Sequence, residues 1–79
     1  MTPLPLICHD SKSVRELRQR LMLTQAEFWA RVGVTQSGGS RYEGGRWMPV
    51  QIAWALQIAY GTEQQSEAVV SWLRKTHDQ

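Results

Sequence analysis

One spacing recurs along this 79-residue chain and limits what it can fold into. A Ser or Thr is followed three residues later by Glu or Gln at Ser13–Glu16, Thr24–Glu27 and Thr62–Gln65. At a helix start the hydroxyl accepts a bond from one unpaired backbone N–H while the longer side chain reaches back to another, so each occurrence marks an N-terminus. Gly33, Gly44, Gly45 and Gly61 stand where such helices would end, and Pro49 suits the first turn of a further one. The pattern predicts five short helices: about 13–22, Thr24 through Val32, Thr35 through Glu43, Pro49 to Gly61, and onward from Thr62. Val14, Leu17 and Leu21 form the inward stripe of the first, and Ile52, Ala55, Leu56 and Ala59 that of the fourth. No segment has the two-residue period of a strand, so an all-α fold with short connections is expected.

A chain of this length buries only ~60% of its unfolded surface, enough for one small core. Residues 1–12, punctuated by Pro3 and Pro5, lack helical period and are expected to form an extended N-terminal arm apart from the core. Residues 13–61 form the core, and residues 62–76 a C-terminal helix. The lone Cys8 can close no intramolecular disulfide, the prolines interrupt any secretory leader, and no apolar run approaches the ~20 residues of a membrane span. A cytoplasmic protein with no membrane association is the expectation. Formal charge is +2, but it is uneven: residues 12–46 hold seven Lys and Arg against three Glu, or +4, while the remainder carries two against four, or −2. That division suits a polyanionic partner met by one half of the molecule.

The stretch from Thr24 to Glu43, a short helix, a Gly-Val-Thr turn and another short helix, has the helix-turn-helix layout. LTQAEFWARVGVTQSGGSRYEGGRWMP, residues 23–49, resembles the Cro and phage-repressor type helix-turn-helix family, also called the XRE family. The match rests on Thr24-Gln25, Gly33-Val34-Thr35, Ser40-Arg41-Tyr42-Glu43, Gly45 and Pro49 together. The resemblance implies a five-helix, lambda-repressor-like DNA-binding domain whose third helix enters the major groove of double-stranded DNA. Gln36, Ser37 and Arg41 then take the base-contacting positions, where an amide can pair with adenine and a guanidinium with guanine. Gln25 is implied as a phosphate ligand at a helix N-terminus, with Thr35, Arg18 and Arg46 as further phosphate contacts. Arg18 and Glu43 resemble a family pair that ties the first helix to the end of the third.

The chain departs from that family at the fifth residue of helix two, usually small and here Trp29. The facing position, usually aliphatic, is Gly39, so the Trp29 ring is expected to fill the space above Gly39. Gly38 and Gly39 lower the helical preference of the recognition helix by about 2 kcal/mol relative to alanine. The pair reads either as a loose helix or as close DNA approach at Gly38. Trp47 and Met48, in the turn after helix three, are read as apolar anchors of that loop in preference to contacts with DNA or a partner. The family implies binding to operator half-sites as a homodimer, and Val69, Val70, Trp72 and Leu73 spread wider than one stripe, so some are expected at the dimer interface. A small repressor or autoregulator is the leading expectation; an antitoxin-like module that binds a toxin is the alternative. Cys8, His9 and His77 lack the spacing of a metal site, and no phosphate-binding glycine loop or nucleophile–base set is present, so no cofactor, metal or catalysis is expected.

Overall fold

The computed structural model describes residues 4–77. Pro3 and the rest of residues 1–3 of the expected arm lie outside the described residues. Five α-helices follow one another: α1 (Ser11–Arg20), α2 (Gln25–Ala30), α3 (Gln36–Glu43), α4 (Val50–Tyr60) and α5 (Glu63–His77). There is no strand among the described residues, and the all-α, lambda-repressor-like expectation holds.

Local chemistry sets the helix starts. At α2, Thr24 accepts from the Glu27 N–H and Glu27 answers the Thr24 N–H. At α5, Thr62 and Gln65 exchange the same two bonds. The first helix departs from the expectation: its cap is Asp10, whose carboxylate accepts from the Ser13 N–H at 2.8 Å while the Ser13 hydroxyl answers the Asp10 N–H. Ser13 is thus the third helical residue rather than the cap, because Asp10 offers an equally good acceptor upstream. The helix also ends earlier than expected, at Arg20, and Leu21 is 41% exposed rather than part of the inward stripe.

Three helix ends share one geometry. After α1, α2 and α3 a residue with positive φ, Met22 (57°), Gly33 (76°) or Gly45 (111°), reverses the chain. The next N–H in each case folds back on the last turn: Leu23 to Arg18, Val34 to Trp29, Arg46 to Arg41. This is the Schellman closure, whose left-handed position favours glycine. Met22 fills it with an L side chain that is 90% exposed.

Val14 and Leu17 of α1, Phe28 and Trp29 of α2, Leu56 of α4, and Cys8 share the central cluster. Phe28 stacks on Tyr60 with ring centroids 4.5 Å apart, and the Tyr60 hydroxyl donates to the Phe28 carbonyl, so α2 is fixed to the end of α4. The expectation that the N-terminal arm stands apart from the core is corrected at Cys8, which is wholly buried. Buried Gln57 fastens this segment: its amide oxygen accepts from the Ile7 N–H at 3.0 Å, and its nitrogen donates to the carbonyls of Pro5 and Gln65. A buried amide left without such partners would cost ~1–3 kcal/mol, so the clasp is specific.

Candidate nucleic-acid interface

The second half of the helix-turn-helix pair is presented outward. Thr35 caps α3 by accepting from the Gly38 N–H at 3.1 Å. Gln36, Ser37, Ser40 and Arg41 are all exposed, and at 100° per residue they fall within one arc of the helix. Three of these are the residues expected to contact bases. Ser40, part of the matched motif but not expected at a base, shares their face, four residues on from Gln36. Gly39 and Glu43 fall outside that arc and are buried.

A buried carboxylate holds this helix to its neighbours. Glu43, 3% exposed, accepts from Arg18 Nε and Nη2 at 2.9 Å each, from Trp29 Nε1 at 2.7 Å and from Gln25 Nε2 at 3.3 Å. Arg18 Nη1 meanwhile donates to the Leu23 carbonyl, and Arg15 donates to the carbonyl of Glu43 itself. Side chains from α1 and α2 therefore meet on the last residue of α3. Burial alone would raise the Glu43 carboxyl, but the bonds from Arg18, Trp29 and Gln25 and the Arg18 charge together outweigh it and hold it below its ordinary 4.5. Gln25 and Arg18, both expected at phosphates, are here bonded to Glu43 and buttress α3 from within.

Trp29 is wholly buried beside Gly39, where a Cβ would lie 2.1 Å from Trp29 Cδ1. The indole fills the volume that a side chain at position 39 would need, and its N–H is satisfied by Glu43 rather than orphaned in the core. Gly38 has a different surrounding. A Cβ there would come within 3.2 Å of the Thr35 hydroxyl and 3.3 Å of Val34, so a side chain at this position requires both to give by a few tenths of an ångström.

Beyond α3, Arg46 is exposed and its N–H closes on the Arg41 carbonyl, which places it directly after the presented helix. The loop anchors separate: Met48 packs against the core, but Trp47 is 79% exposed. On α5, Val69, expected at a dimer interface, is wholly buried in its own chain and so is corrected to a core residue. Val70 is 41% exposed, and Trp72 and Leu73 are half-buried. Burial pushes the Cys8 thiol up to about 11, despite the opposing Arg20 charge, and it stays neutral as a small core residue. Among the described residues, no helix is long and apolar enough to cross a membrane, and no His, Cys, Asp and Glu group could hold a metal.

Residues 15–59 match the family model described as the RsaL-like HTH domain, a span from α1 to the last turn of α4. Among curated proteins and solved structures, none matches the chain significantly.

Proposed function

Because the chain belongs to the RsaL-like helix-turn-helix family, a DNA-binding fold, we propose that it is a sequence-specific transcriptional regulator of the Cro and phage-repressor type. It acts on double-stranded DNA in the cytoplasm as a homodimer and represses the operator that it occupies. The observation that carries this reading is the exposed arc Gln36–Ser37–Ser40–Arg41 on a helix whose buried side is tied through Glu43 to α1 and α2.

In this reading α3 lies in the major groove. Arg41 forks onto guanine O6 and N7, Gln36 pairs with adenine N6 and N7, and the short hydroxyls of Ser37 and Ser40 accept close approach. Gln25 and Thr35 stand at the N-termini of α2 and α3, where backbone N–H groups and the helix dipole favour phosphate. Arg46 adds a phosphate contact after α3. Arg18 acts chiefly through Glu43, by fixing the angle of the helix. Two copies read two half-sites one DNA turn, ~34 Å, apart. The protein is a binder rather than a catalyst.

Selection of bound sequences from random DNA, followed by salt titration of the winner and a scrambled control, tests the reading. The winner is expected to hold a partly two-fold-symmetric site and to bind at least ~10³-fold more tightly than the control. Equal affinity for both at every salt concentration would sink it.

A further inference from the structure

A helix that needs only one face for its own core is apolar on one side; α4 carries apolar residues beyond its inward face, with Gln51 and Gln57 as its amide side chains. Its inward side holds Ala53, Leu56 and Gln57, all buried, with Tyr60 stacked on Phe28. The other side carries Val50, Trp54 and Ile58, four residues apart and therefore in one row. Val50 and Ile58 are each 42% exposed, Trp54 is half-buried, and Trp47, in the loop that leads into the helix, is 79% exposed. From Trp47 to Thr62 the chain has no charged residue and no histidine.

We propose that this row, Trp47–Val50–Trp54–Ile58, is the surface on which a second copy of the chain docks, α4 against α4. The inference rests on the homodimer reading above and moves its contact from α5, where Val69 is already taken up by the core. Charge selects the occupant. The row itself carries no cation for a phosphate backbone and no counter-charge for a charged protein surface; Arg46 stands just before it. A two-fold contact sets a patch against itself, so it favours a face whose groups do not repel their own twins, which an uncharged row provides. Area sets the strength: the exposed parts of the four side chains come to roughly 400 Å² per copy, about half of what a standard interface buries on each side. The pair is accordingly weak in free solution and is completed when two copies are held on neighbouring half-sites.

Sedimentation equilibrium of the full chain without DNA, up to about 1 mM, tests this, with far-ultraviolet circular dichroism as the check on folding. The wild type is expected to pass from monomer to dimer within that range. Ile58→Lys and Trp47→Ser should each weaken association about tenfold or more, and Val70→Lys on α5 should leave it unchanged. Trp47 lies in an exposed loop, so that variant decides the matter if Ile58→Lys fails to fold. A monomer at every concentration, as a different protein partner for this row would give, overturns the proposal. So does a dimer that survives both α4 changes. Association is read without DNA, so a failed operator selection counts against the DNA reading alone.

Discussion

At the scale of single residues, the chain exchanges bulk between two facing positions. A side chain at position 39 has to enter space that the Trp29 ring fills, since even a Cβ would lie 2.1 Å from Cδ1. Gly39→Val should therefore destabilise the protein by about 1–3 kcal/mol, although valine is the better helix former. That corresponds to a fall of roughly 4–8 °C in melting temperature per kcal/mol, and an unchanged melting curve would reject the packing account. This exchange is legible in the sequence, because a large residue where a small one belongs demands a void opposite. The bond from the indole N–H to Glu43 was not legible, since it depends on how α2 and α3 cross. Arg41 differs in kind: it is exposed on α3 and its removal should leave stability within ±0.5 kcal/mol. Arg41→Ala is expected to relax base preference at one position of the operator by ~1–3 kcal/mol in a mismatch-scanned binding assay. Uniform weakening across all sequences would instead make Arg41 a phosphate contact.

At the scale of helices, starts were more legible than faces. The Ser/Thr-to-Glu/Gln spacing is local, so Thr24 and Thr62 cap as the spacing predicts; the shift from Ser13 to Asp10 exchanges two good acceptors, and Pro49 stands one place before the first turn of α4, as its N-cap. The inward face of α5 was illegible, because Ala68, Val69, Val70, Trp72 and Leu73 offer more apolar directions than a stripe needs. Ends carry their own test. Met22 occupies the left-handed slot that Gly33 and Gly45 fill after the next two helices. Met22 is 90% exposed, so Met22→Gly loses little burial and should stabilise the protein by ~0.5–1 kcal/mol, visible as a rise in the urea midpoint. A lower midpoint would mean that the side chain contributes a contact. The junction of α1, α2 and α3 on Glu43 has a pH signature. Its folded carboxyl titrates below 4.5, so the stabilisation is fully present above pH 4.5 and is lost as pH falls through the folded value. Asp10 and Glu27 are also lowered, chiefly by backbone N–H bonds at helix starts, and contribute in the same direction. Glu43→Gln should accordingly be less stable at pH 7 but lose less stability between pH 5 and 3 than the wild type. Parallel pH–stability curves for the two proteins would remove Glu43 from the acid response.

At the scale of the whole molecule, the uneven charge and the uncharged α4 divide the surface into a basic portion, residues 12–46, and an apolar row, residues 47–58. Affinity for DNA should fall steeply with salt, and Arg46→Ala should flatten the plot of log affinity against log salt by about 0.9 for one lost phosphate contact. A slope that does not change would place Arg46 away from the backbone. Composition made the first portion visible from the start. The second needed the fold, because apolar residues on α4 look like core until the inward positions have been assigned. The same holds for the N-terminal segment: without helical period nothing signalled that Cys8 is buried or that Gln57 reaches across to Pro5 and Ile7. That reach has a mechanical meaning. Gln57 binds the chain near its beginning and also the Gln65 carbonyl in the first turn of the last helix, so the segments leading to both ends are tied to one amide. Pulling Pro5 and Gln65 apart loads this knot first, and the chain between them, which contains the whole helix-turn-helix pair, bears load only after the knot has slipped.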